Sequence, residues 1–243
     1  MANSTSNRRS PPLHLVISEK LRTQILEGRY PPGTKIPSEH QLMEQFEVSR
    51  ITVRRAIANL VQQGLVITQR GRGVFVKEQR KATYFLSNPI VFVEEDLARQ
   101  GFASAIENLI FEPISVPDHI GQKLQIPRQS EVYFQKKVLL IDGIPSALDM
   151  TYLVAELGQA YATELQCAMT FPILERNGVS IHRIEATLES THADNELSQR
   201  LNVPLGGPIL VYRYLAHTGN RPILCGETLS RGDRLAYSVV LTK

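Results

Sequence analysis

The chain has 243 residues, 42% hydrophobic and 21% charged, with a formal net charge of +3. This balance fits a globular chain with a real core and excludes an intrinsically disordered one; no apolar run approaches the roughly 18 residues of a membrane span. Residues 1–80 hold 13 Lys and Arg against 6 acids, a surplus of seven that leaves the remainder at −4. A polyanionic partner is therefore expected for the head of the chain alone.

Residues 1–12, MANSTSNRRSPP, read as a loose, disordered tail, because their arginines lack the apolar stretch of a secretory signal. Leu13, Val16, Ile17, Leu21 and Ile25 then recur at helical spacing, and Gly28 is a fitting stop. The following YPPGTKIP is turn-rich and predicts a fixed connector. Ser38 with Gln41 three residues on forms a capping box for a second helix, on which Leu42 and Phe46 face inward. Ser49 caps a third helix, with Val48 and Val53 placed for a hydrophobic staple. Val53, Ala56, Ile57, Leu60 and Val61 make its buried stripe, while Arg50, Thr52, Arg54 and Arg55 lie off it in the first two turns. A helix that enters the major groove needs this division. Two short strands, LVITQ and VFVKE, are joined by Arg70, Gly71, Arg72 and Gly73, a tight turn with outward arginines suited to a minor groove or flanking phosphates. Cap, staple, basic first turns and arginine-tipped hairpin, in this order, predict DNA binding.

The stretch from Leu21 to Val76 (LRTQILEGRYPPGTKIPSEHQLMEQFEVSRITVRRAIANLVQQGLVITQRGRGVFV) resembles the winged helix-turn-helix of GntR-family bacterial regulators, with its PG-x-x-LPSE, VSR-x-TVR and wing motifs. The resemblance covers nearly all of residues 13–76. It implies operator binding through Arg50, Thr52 and Arg54, with Ser49 capping the helix and touching phosphate, and Arg70, Gly71 and Arg72 serving the wing. Ile36 stands where leucine is common, and Val74 replaces a wing threonine.

Residues 77–88 lose apolar periodicity and are read as a linker. From 89 to 243 the pattern predicts an α+β domain on a largely antiparallel sheet. Strands are expected at 106–116, 131–141, 144–154, 180–191, 208–217 and 222–230, with Asp142-Gly143 and Thr218-Gly219-Asn220 as hairpin turns. Short helices are expected at 117–124, 156–164, 171–177 and 194–201, the last capped by Asp194. This order, with LNVP before GGPILVYRYL and the closing RGDR, is similar to the UTRA effector domain of the HutC subfamily, whose fold is shared with chorismate lyase. The resemblance implies a small-molecule pocket and a homodimer on a palindromic DNA operator.

Phosphosugar-binding members carry two arginines on the strand before the DG turn; Lys137 and Leu139 occupy those positions here. Asp149 holds the place of a pocket acid. Glu94, Glu95 and Asp96, followed by Gly101, Phe102, Ala103 and Ser104, match a loop that closes over the ligand, whose backbone N–H groups can hold an anion. Thr170 and Tyr237 complete the candidates. Surface pairing of Lys137 with Asp149, and core hydroxyls at Thr170 and Tyr237, are the competing readings.

The six histidines lie in different elements without metal-ligand spacing, so no metal and no cofactor is expected. No G-x-S-x-G, Walker or dinucleotide fingerprint is present. Cys167 and Cys225 form neither a metal-type nor a disulfide framework, which points to a reducing, cytoplasmic setting with no membrane partner. The expectation is a DNA-binding transcriptional regulator, a repressor released by its effector, and not an enzyme. Two alternatives stay open: a small-molecule enzyme of chorismate-lyase-like fold, and a module that binds DNA constitutively.

Overall fold

The computed structural model describes residues 11–77, 81–86 and 93–240. Residues 1–10 of the tail expected at 1–12 fall outside these residues, as do parts of the segment read as a linker. The chain forms two compact units, Met1–Gln79 and Arg80–Lys243.

The first unit packs three helices, α1 (Leu13–Leu26), α2 (Glu39–Phe46) and α3 (Arg50–Gln62), and a hairpin of β1 (Val66–Gln69) and β2 (Gly73–Val76). Ile17, Leu21, Ile25, Leu42, Val53, Ala56, Ile57 and Leu60 close one core, with Phe46, Val48 and Val74 packed against it. Three residues of the expected stripes are not in it: Leu13 is 63% exposed, Val61 41% exposed, and Val16 only half-buried. Leu13 opens α1 beyond the last contacting turn, and Val61 lies one position round from Leu60, off the buried stripe. The connector is fixed as expected, and by hydrogen bonds. Val76 donates to Thr34 O (2.8 Å), and Gly33 and Ile36 donate to Val76 O and Val74 O, so residues 33–36 lie along β2 as a third edge.

The second unit is built on one six-stranded sheet in the order β4-β5-β6-β9-β8-β7, with every pairing antiparallel. Its strands are β4 (Ser104–Ser115), β5 (Glu131–Ile141), β6 (Ile144–Val154), β7 (Arg183–His192), β8 (Pro208–Thr218) and β9 (Arg221–Arg231). Asp142 takes a left-handed φ of 52° and Gly143 of 73°, which forms the tight turn between β5 and β6 that the DG pair requires. One sheet face is covered by α9 (Asn195–Leu201), through Leu197 and Leu201 against Val138, Leu148, Val211 and Leu229. Arg231 fastens that packing: it pairs with Asp233 (Nη2–Oδ2 2.7 Å) and donates to Leu201 O (3.0 Å) at the C-terminus of α9, where a cation is favoured.

Several details differ from the sequence reading. The segment read as a linker contains a strand, β3 (Ala82–Phe85), which runs parallel to β10 (Leu235–Ser238). The acids read as a closing loop instead occupy the first turn of a helix, α4 (Val93–Arg99). Helix α4 is held to β3 by the Gln100 amide, which bonds both the N–H and the C=O of Thr83 (2.9 and 2.8 Å). The helix expected at 156–164 is two pieces, α6 (Ala155–Ala160) and α7 (Ala162–Leu165), and α8 starts at Thr170 and ends at Arg176; α5 is Asp118–Leu124.

Candidate nucleic-acid interface and effector cavity

In the first unit the caps behave as their chemistry dictates. Ser38 and Gln41 form the reciprocal capping box. Ser49 Oγ accepts from the Thr52 N–H (3.3 Å), and its hydroxyl also meets Thr52 Oγ1 (3.0 Å). Ser49 and Thr52 therefore set the first turn of α3, and the arginines project from it. Arg50 and Arg54 have side chains 63% and 60% exposed. Both reach back to one carboxylate on α2, with Arg50 Nε 2.8 Å from Glu39 Oε2 and Arg54 Nε 3.2 Å from Glu39 Oε1. The arginines, Arg50 foremost, hold the Glu39 carboxyl below the usual carboxylate range.

The sequence reading missed Glu39, because its partners lie 11 and 15 residues away on another helix. It orients two guanidinium groups and subtracts one charge from the face they form. Glu39→Gln should therefore raise affinity for unrelated DNA while lowering the ratio of specific to non-specific binding, about five-fold if orientation is worth about 1 kcal/mol. Parallel titrations of a specific and a scrambled duplex at one salt concentration measure that ratio.

Arg55 is exposed on the same helix, and Arg70, Gly71 and Arg72 form the exposed tip of the hairpin. Arg72 lies over the Phe75 ring at 5.6 Å. Gly73 has a φ of +118°, and a Cβ there would stand 2.3 Å from Lys35 Cε, so the turn needs glycine at this point. All nine residues expected to serve DNA thus fall in one compact unit, on the first turns of α3 or at the hairpin tip.

The second unit holds a cleft of about 590 Å³, counted to its open mouth. Its floor is the sheet face opposite α9. Asp149 and Thr228 stand opposite each other across β6 and β9, and Thr228 stands opposite Tyr212 on β8, so all three share a face. The Asp149 carboxylate accepts from Thr151 Oγ1 (2.8 Å), Thr228 Oγ1 (2.8 Å) and Tyr214 OH (3.0 Å). Gly226 makes the last contact possible: a Cβ there would lie 2.8 Å from the Tyr214 hydroxyl and 2.4 Å from Met150 O.

Tyrosines form one wall. Tyr84 from β3, Tyr212 from β8 and Tyr237 from β10 pack ring against ring, with centroids 5.4 to 6.2 Å apart. Burial, and then the charge of Asp149 and neighbouring rings, pushes the Tyr84 hydroxyl well above the ordinary tyrosine range. Phe171, edge-on to Tyr214 at 5.5 Å, and Thr170 also line the cleft, and the Thr170 hydroxyl is bonded by the Gln135 amide.

Of the six residues expected at the effector, Asp149, Thr170 and Tyr237 line this cleft. Lys137 does not. It is fully buried beside the cleft and donates to Ala168 O at 2.7 Å; burial lowers its amine from 10.5 to about 8, with Asp149, Glu94 and Cys167 opposing. It is not part of a surface pair, since Asp149 is buried too. Ala103 and Ser104 stand apart, because the Ala103 N–H is taken by Asp142 Oδ1 (3.0 Å) and Ser104 begins β4 opposite Ile141. Tyr84, Tyr212, Tyr214 and Thr228 were not anticipated. The i, i+2 spacing of Tyr212 and Tyr214 was a usable signal, because it puts both on one face of a strand.

Residues 13–76 match the family described as bacterial regulatory proteins, gntR family, and residues 99–236 match the UTRA domain. The transcriptional repressor NagR of Bacillus subtilis is 30% identical over 234 residues, covering 95% of this chain and 96% of that one. The chain belongs to the gntR family. This regulator is also 32% identical over 200 residues to MngR of Escherichia coli, the mannosyl-D-glycerate transport/metabolism system repressor, with 82% of each chain covered. Among solved structures it is similar to PhnF from Mycobacterium smegmatis, at a TM-score of 0.64 and 22% identity, over 93% of this chain and 99% of that one. The winged helix-turn-helix head and the effector domain are those of a DNA-binding transcriptional regulator, with the head-plus-UTRA arrangement of the HutC subfamily. None of its described helices is long and apolar enough to cross a membrane.

Proposed function

We propose that this regulator is a homodimeric repressor that lays α3 of each copy into one half-site of a palindromic operator. The pairing of Arg50 and Arg54 with Glu39, on a helix start set by Ser49 and Thr52, carries this reading. Two such helices reach half-sites about one helical turn apart. The effector occupies the tyrosine-walled cleft, and its differential binding shifts operator affinity by a coupling free energy on the order of 1–3 kcal/mol. Asp149, Thr170 and Tyr237 contact it; Lys137 sets the field from behind. The chain acts by binding, not by turnover.

The cleft favours a compact, polyhydroxylated effector. Ring faces of Tyr212 and Tyr237 suit the C–H face of a sugar-like molecule, and Asp149 and Thr170 suit its hydroxyls. Among the described residues neither lysine nor arginine lines the cleft, which favours an unphosphorylated ligand over a phosphorylated one. The link of MngR to mannosyl-D-glycerate is in keeping with that class. The test is selection of duplexes by the full chain from a randomised library, followed by thermal-shift screening against sugars and their phosphates. Enrichment of an inverted repeat, and stabilisation by an unphosphorylated member, is the expected result. An unstructured library after repeated selection would refute the operator reading.

A further inference from the structure

The outward face of α3 carries one residue that neither packing nor charge explains. Ile51 is 68% exposed, in the first turn of the helix, between Arg50 and Thr52. At about 3.6 residues per turn, it lies opposite the centre of the stripe formed by Val53, Ala56, Ile57 and Leu60, which is buried. Arg54, Arg55 and Ala58 follow it on the outward side, all exposed. Arg54 is drawn to one flank by Glu39, and the aliphatic tip of Ile51 is left in the middle of the face. A β-branched residue has no advantage in helix propensity here, and its apolar surface gains nothing while it faces water.

Seated in a major groove, that tip meets base edges. Among the four bases only thymine offers an apolar group there, the C5-methyl. The arginines around it supply phosphate and guanine contacts, and they exclude water from the contact they surround. We propose that Ile51 is a specificity-determining residue that packs against a thymine methyl in each operator half-site. The proposal rests on the reading of α3 as the helix that enters the groove, and it goes beyond that reading by naming a base and an atom.

The test uses a duplex selected by the full chain, with each thymine of the half-site exchanged in turn for uracil, which differs only by the methyl. An exchange in one half-site should weaken wild-type binding about four-fold, the worth of one buried methyl-sized group, and an exchange in both half-sites about 15-fold. Ile51→Ala should bind the thymine duplex more weakly and show no difference between thymine and uracil at that position. The side chain is exposed, so the variant should keep the wild-type circular dichroism. The proposal is overturned if every uracil exchange leaves wild-type affinity unchanged, if Ile51→Ala keeps the same penalty, or if the selected half-site contains no thymine. Failure to select any duplex is a different result and would remove the DNA-binding reading beneath it.

Discussion

Arg50→Ala and Arg54→Ala should each weaken binding to the selected duplex by about 10- to 100-fold, while binding to a scrambled duplex falls only a few-fold. A side chain that reads a base edge through two hydrogen bonds is worth about 1–3 kcal/mol of discrimination, whereas a phosphate contact weakens all sequences alike. Both guanidinium groups are exposed and already oriented by Glu39, so little ordering entropy remains to be lost on binding. Anisotropy titrations at one salt concentration give both affinities, and repeating them across salt separates the loss of a phosphate contact, which flattens the slope, from the loss of a base contact. Equal losses on the two duplexes would remove α3 from the role of reader.

Asp149→Ala should destabilise the chain by about 3 kcal/mol in urea unfolding, the scale on which removing one partner from a buried charged network acts. Three hydroxyls lose their acceptor, and Lys137, which stands opposite Asp149 in the β5–β6 register, loses the largest influence favouring its charge. Adding Lys137→Met to that variant should recover part of the loss, because acceptor and cation then leave together; a strictly additive double variant would show that the two do not interact.

The same lysine gives a pH signature. Its folded amine sits at about 8, below the ordinary 10.5, because burial disfavours the charge. Between those values the unfolded chain binds this proton more tightly than the folded one, so the lysine's contribution to stability rises with pH across that window. Below about pH 8 the cost of the buried charge is fully present, and Lys137→Met should show no such rise. Parallel unfolding curves from pH 7 to 10 check the difference between the two chains.

The head was legible because local rules set it. Caps, glycine punctuation and a 3.6-residue period act within a few neighbours, so Ser38, Ser49 and the Arg70–Gly73 turn fell where their chemistry requires. What was missed there came from contacts between elements, as with Glu39. In the effector domain the long strands and both hairpin turns were readable from alternation and turn residues. The cleft was less so. Tyr84 lies on a four-residue strand whose pairing with β10 joins residues some 150 positions apart, and no local pattern announces it. Asp149 was found through family resemblance, but its partners Thr228 and Tyr214 follow only from strand register. Lys137 looked like a ligand clamp from its place on β5; the fold instead turns its amine onto Ala168 O.

On our proposal, a ligand in the tyrosine-walled cleft controls how tightly the head holds DNA. The direct measurement is the dissociation constant of the full chain for its selected duplex, with and without a compound that raises the melting temperature, in wild type and in Tyr212→Ala. A change of about 5- to 150-fold is expected in wild type, with little change in Tyr212→Ala. A compound that binds and stabilises the wild-type chain yet leaves its operator affinity unaltered would contradict it.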